Sequence, residues 1–137
     1  IESYIPENNR SQWIQKGSNH ILLDAYNANP SSMQVAIENF SKMSNEKQIL
    51  ILGDMFEMGN QAEKEHLDLL IWAKQFEFES IYLLGEHFNQ VSANCGLETY
   101  ATMKALGENL KSKDYKDTAI LVKGSRGMKM ERVLEYL

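Results

Sequence analysis

The sequence predicts an α/β fold in three layers, with a mostly parallel sheet flanked by helices. Three observations carry this reading. The runs Ile21-Leu22-Leu23, Ile49-Leu50-Ile51-Leu52, Ile81-Tyr82-Leu83-Leu84 and Ala119-Ile120-Leu121-Val122 are continuously apolar, as strands buried on both faces require. Each run stops at a polar or glycine position: Asp24, Gly53-Asp54, Gly85-Glu86 and Lys123-Gly124. The intervening segments carry apolar residues at helical spacing. Strands alternating with such helices form a parallel sheet through right-handed crossovers.

In chain order, a strand around Gln12–Gln15 precedes the first buried run. Asn29-Pro30 then starts a helix, with Asn as the cap and Pro at the first helical position; Met33, Ala36, Ile37 and Phe40 form its inner stripe. Asn60 followed by Glu63 reads as a variant capping box for a second helix, whose stripe is Ala62, His66, Leu69, Leu70 and Ala73. Thr99-Tyr100 suits a short edge strand, and Met103, Leu106 and Leu110 mark a further helix. Met130, Val133, Leu134 and Leu137 predict a final helix. The expected architecture is Rossmann-like, with residues 1–12 as a connector and strand lead-in and residues 13–137 as the domain.

Composition narrows the function classes. The 137 residues, 43% hydrophobic and 24% charged, suffice for one hydrophobic core. A net charge of −5 leaves no basic footprint for nucleic acid. No apolar run reaches the roughly 18 residues of a membrane span. Cys95 stands alone, which excludes an internal disulfide and a multi-cysteine metal site and fits a reducing cytoplasm. No P-loop and no G-x-S-x-G occurs. The chain opens on Ile1 in an irregular polar stretch, which suggests a segment of a longer protein.

In open α/β sheets, ligands bind beyond the carboxyl ends of the strands, so three loops matter most. After the first buried run comes Asp24-Ala25-Tyr26-Asn27-Ala28-Asn29-Pro30. A carboxylate there can accept from a ribose diol beside a helix start, or it can simply cap a turn. Gly53-Asp54-Met55-Phe56-Glu57-Met58-Gly59 brackets two carboxylates with glycines; it suits a loop that attracts an ammonium group, or a solvated turn. Lys123-Gly124-Ser125-Arg126-Gly127 gathers donors at the start of the predicted last helix, either for a carboxylate or phosphate or as an exposed basic turn. His66 on an inner stripe reads as a core residue, while His20, His87 and Cys95 lack partners at catalytic or metal-ligand spacing.

DAYNANPSSM (Asp24–Met33) resembles the signature opening the C-terminal domain of Mur ligases, and LGDMFEMG (Leu52–Gly59) and LVKGSRGMKMERV (Leu121–Val133) match in order and spacing. YIPENNRSQ (Tyr4–Gln12) resembles the segment joining the family's central ATPase domain to that domain. Within the family, the likeness is to members that add D-alanyl-D-alanine to the UDP-muramoyl tripeptide. The resemblance implies an ATP-dependent amide ligase of peptidoglycan synthesis, working through an acyl phosphate. It implies nucleotide contacts at Arg10, Asp24, Asn27 and Asn29, and a dipeptide pocket lined by Asp54, Glu57, Lys123, Ser125 and Arg126. ATP and Mg²⁺ would be held mainly by a central domain that these residues do not include, and the UDP-sugar domain is likewise outside them. No catalytic or metal-binding residue is implied here, and the isolated domain is expected to be inactive. Its partners would be those two domains, D-Ala-D-Ala and the UDP-muramoyl tripeptide.

Two other classes compete. A phospho-receiver module would place Asp54 and Lys123 after its third and last strands, but it needs a second acidic residue beside Asp24. A stand-alone nucleotide- or peptide-binding domain would bind ATP or a dipeptide without catalysis.

Overall fold

The computed structural model describes residues 11–43 and 47–137. Six strands of these residues form one sheet: β1 (Gln12–Lys16), β2 (Asn19–Asp24), β3 (Lys47–Gly53), β4 (Ser80–Leu84), β5 (Glu98–Tyr100) and β6 (Thr118–Lys123). Their spatial order is β1-β2-β6-β3-β4-β5; β1 runs antiparallel to β2 through a two-residue turn at Gly17-Ser18, and all other pairings are parallel. Gly17 takes a φ of +62° in that turn, a conformation that glycine adopts without a Cβ penalty.

Each continuous apolar run sends alternate residues to opposite faces. Leu22, Leu50, Leu52, Leu83 and Leu121 pack under α1 (Pro30–Ser41), α2 (Ala62–Ala73) and α3 (Glu86–Ser92). Ile21, Ile49, Ile51, Ile120 and Val122 pack against α4 (Met103–Lys113) and the C-terminal segment. The three expected layers are present. The chain leaves β2 through α1 on one face and enters β6 from α4 on the other. The adjacent carboxyl ends of β2 and β6 thus flank a crevice where connections diverge, the position where α/β sheets bind ligands.

Asn29 caps α1 as its sequence suggests: Oδ1 accepts from Ser32 N–H at 2.8 Å, and Asn29 N–H donates to Ser32 Oγ at 3.1 Å. Three elements differ from expectation. The Asn60/Glu63 capping box does not form, because a 3₁₀ turn (Gly59–Gln61) feeds α2 and the cap residue Gln61 makes no side-chain capping bond. The C-terminal segment Met130–Tyr136 is 3₁₀ rather than α-helical. Met130, Val133 and Tyr136 recur every third residue, which suits three residues per turn; the Tyr136 ring lies so close over α4 that a Cβ at Gly107 would stand 2.4 Å from it. The third difference is α3, which is not among the helices expected from the sequence: its cap residue Gly85 has no side chain to bond the first turn. Its first free N–H groups, from His87 and Phe88, donate to the carboxylate of Asp54 at 2.9 and 3.0 Å, so the cap arrives from 33 residues earlier in the chain.

Candidate functional site

β2 and β6 lie in register with Asp24 beside Lys123. Lys123 Nζ stands 3.1 Å from Asp24 Oδ2 and donates to the Asn27 carbonyl at 2.9 Å. The lysine side chain is 3% exposed and the aspartate 15%, so the pair is largely shielded, with the carboxylate toward the rim. It borders a cleft of about 240 Å³ shared with Ser11, Tyr26, Asn27 and Ser32. Buried Ala28 anchors the loop beneath the exposed Asn27 and Asn29. Asn29 uses its side chain to cap α1 and so shapes the loop.

Tyr26 also borders a larger cleft of about 620 Å³, where it meets Gln12, Arg126, Lys129 and Glu131. The Arg126 guanidinium lies 5.5 Å from the Tyr26 ring centroid, a cation–π contact that holds both at the wall between the clefts. Exposed Lys129, at a φ of +52°, adds a second cation. This cleft offers two cations, one carboxylate and an aromatic wall.

Of the residues expected to line one dipeptide pocket, only Arg126 reaches the larger cleft. Lys123 turns to the Asp24–Asn27 loop instead. Asp54 is buried and engages both carboxylate oxygens at the start of α3. Ser125 is also buried; its Oγ accepts from Phe56 N–H at 2.8 Å, while its own N–H donates to the Asp54 carbonyl at 3.0 Å. These bonds join the β3 and β6 loops into one floor. Glu57 sits exposed at the apex of its loop with a φ of +65°. Arg10 lies outside the described residues. Tyr26, Gln12 and Lys129 were not singled out by the sequence. Tyr26 lies inside the quoted signature, but only the fold shows that it faces Arg126.

His66 supports the floor as a buried residue. Its Nδ1 pairs with the Ala62 carbonyl at 2.6 Å and its Nε2 with Met55 N–H at 2.9 Å. The tautomer that satisfies both protonates Nδ1 and leaves Nε2 as acceptor. Burial holds its pKa below the ordinary histidine value, against the raising effects of the Ala62 carbonyl and the Asp54 carboxylate.

Asp24 with the surrounding amides and hydroxyls is a donor and acceptor set that fits a ribose diol. Mg²⁺ is a different matter. Among the described residues, no group of three or more His, Cys, Asp or Glu side chains is placed to hold a metal ion. No helix among them is long and apolar enough to cross a membrane.

Comparison with known proteins decides the family. The family described as Mur ligase, glutamate ligase domain, matches residues 9–126. The chain belongs to the Mur ligase family. The UDP-N-acetylmuramoyl-tripeptide–D-alanyl-D-alanine ligase of Escherichia coli is 34% identical over 128 residues, covering 90% of this chain and 28% of that protein. The ligase of the same name from Buchnera aphidicola (subsp. Acyrthosiphon pisum) is 37% identical over 124 residues, covering 87% and 27%. A crystal structure of MurF from Acinetobacter baumannii superposes with a TM-score of 0.82 at 25% identity, covering 96% of this chain and 30% of that one. This Mur ligase chain therefore spans less than a third of the length of these relatives. The family match also removes the basis for a receiver reading, in which Lys123 would serve Asp54 and not Asp24.

Proposed function

We propose that the chain is the C-terminal domain of an ATP-dependent ligase that joins D-Ala-D-Ala to the UDP-muramoyl tripeptide in peptidoglycan synthesis. In this reaction the tripeptide carboxylate oxygen attacks the γ-phosphorus of ATP, and the bond to ADP breaks. The dipeptide amine, having lost a proton, then attacks the acyl carbon. A tetrahedral intermediate collapses, the carbon–phosphate oxygen bond breaks, and inorganic phosphate leaves with the electron pair. Mg²⁺, held by the rest of the polypeptide, supplies charge neutralisation at the phosphates.

The described residues bind and orient. Asp24 accepts from the ribose hydroxyls, with Asn27 alongside and Asn29 fixing the loop; Arg10 contributes near the phosphates. Arg126 and Lys129 receive the dipeptide carboxylate in the larger cleft, with Tyr26 as the wall separating it from the nucleotide. Closing this domain onto the central one brings amine and acyl phosphate together and removes much of the entropic barrier to their reaction. The isolated chain lacks the phosphate-binding half and forms no ADP.

The observation that carries this reading is the Asp24 carboxylate, fixed at the β2 carboxyl end and bordering a cleft that Tyr26 shares with the Arg126 cleft. In the full-length ligase, Asp24→Asn is expected to raise KM for ATP about tenfold or more, as loss of a charged hydrogen bond implies, with KM for D-Ala-D-Ala nearly unchanged. An unchanged KM for ATP refutes the ribose contact.

A further inference from the structure

We infer that Lys123 is the positioning residue of the nucleotide loop, acting through Asp24 and not on the dipeptide. The inference rests on the reading of Asp24 as the ribose contact. Lys123 ends β6, the central strand between β2 and β3, and its side chain is 3% exposed. A shielded ammonium needs acceptors, and Lys123 finds them on the loop after β2: the Asp24 carboxylate at 3.1 Å and the Asn27 carbonyl at 2.9 Å. One cation thus ties both ends of the Asp24–Asn27 loop.

The base of this tether is itself fixed. The next residue is Gly124, where a Cβ would stand 2.9 Å from Gly53 Cα, so the ends of β6 and β3 are in close backbone contact. Ser125 then bonds to Phe56 and to the Asp54 carbonyl. The lysine therefore projects from a rigid platform. A well-packed apolar pair would stabilise two strand ends as effectively as a buried ion pair. What the ion pair adds is direction: one carboxylate oxygen is engaged by Lys123, which fixes how the carboxylate is presented to the cleft. A contact set in advance avoids an ordering cost when ATP binds.

The test is kinetic, on the full-length ligase, with Lys123→Met, Asp24→Asn and the double variant assayed with ATP and with 2′,3′-dideoxy-ATP. Lys123→Met is expected to raise KM for ATP about tenfold and to shrink the preference for ATP over the dideoxy nucleotide, with kcat at saturation and KM for D-Ala-D-Ala within about threefold of wild type. Adding Lys123→Met to Asp24→Asn is expected to cost little more than Asp24→Asn alone, because both act through one contact. If Asp24→Asn loses the ribose preference while Lys123→Met keeps it, the positioning role fails and the ribose reading stands. If Asp24→Asn itself keeps the preference, the ribose reading fails. A rise confined to KM for D-Ala-D-Ala overturns the inference by returning Lys123 to the dipeptide. Should Lys123→Met not fold, Lys123→Gln retains a donor; a several-fold higher KM for ATP supports the inference, and an unchanged one overturns it.

Discussion

Replacing Asp24 by alanine should destabilise this chain far more than removal of an exposed carboxylate. The substitution leaves the Lys123 ammonium, 3% exposed, with the Asn27 carbonyl as its remaining acceptor among the described residues. Removing one partner of a buried ion pair costs about 3–5 kcal/mol, since the other charge stays desolvated. Asp24 lies near the rim at 15% exposure, so water can enter the vacated space, and we set the expectation at about 2–4 kcal/mol. At about 3.5 °C per kcal/mol for a chain of this size, Tm should fall by roughly 7–14 °C. Urea unfolding of wild type, Asp24→Ala, Lys123→Met and the double variant closes the cycle. The double variant should be more stable than Asp24→Ala, with a coupling of about 1–3 kcal/mol. An Asp24→Ala midpoint within error of wild type, or strictly additive effects, would refute the claim that the pair is a desolvated unit. The same arithmetic makes Asp24→Asn the better probe of ATP binding, because alanine confounds loss of contact with loss of fold.

Gly85 has a φ of +123°, and a Cβ there would stand 2.4 Å from the Asp54 carboxylate that caps α3. Gly85→Ala should therefore cost about 3–5 kcal/mol in urea unfolding, whereas Gly59→Ala, also at positive φ but with nothing within 4 Å, should cost about 1 kcal/mol. His66 has a folded pKa below its ordinary value, so the unfolded chain binds its proton first. Its contribution to stability is complete above about pH 6.5 and declines as pH falls toward the folded value, by at most about 1.4 kcal/mol per pH unit. Urea midpoints between pH 8 and pH 5 should show this decline, and His66→Gln should flatten it. Arg126→Ala in the full-length ligase should raise KM for D-Ala-D-Ala about tenfold or more and leave KM for ATP within about threefold; the reverse pattern would refute the proposed contact between Arg126 and the dipeptide.

The architecture was legible because its signals are local. Continuous apolar runs named the buried strands, and Asn29-Pro30 named the start of α1 with the cap that forms. What escaped the sequence depends on distant partners. α3 is seven residues long, and its first turn is completed by Asp54, 33 residues away. The C-terminal segment keeps its inward residues but adopts a tighter helix under the Tyr136–Gly107 contact. The site divides similarly. Asp24 was marked by its strand end, and the fold brings it to a cleft. The Lys123-Gly124-Ser125-Arg126 run looked like one cluster of donors, yet its side chains part in space: Lys123 to the Asp24 loop, Ser125 to the Phe56 amide and Arg126 to Tyr26. β6 ends at Lys123, and Ser125 and Arg126 lie in the turn into the following 3₁₀ segment, so the register of β6 between β2 and β3 places Lys123 alone and the turn sends the other two elsewhere.

The most direct test of the proposed function is product stoichiometry in the full-length polypeptide. Incubated with ATP, Mg²⁺, UDP-muramoyl tripeptide and D-Ala-D-Ala, it should release one phosphate for each UDP-muramoyl pentapeptide formed, and the separate chain should release none. Phosphate release by the separate chain, or no pentapeptide from the full-length protein, would contradict the assignment.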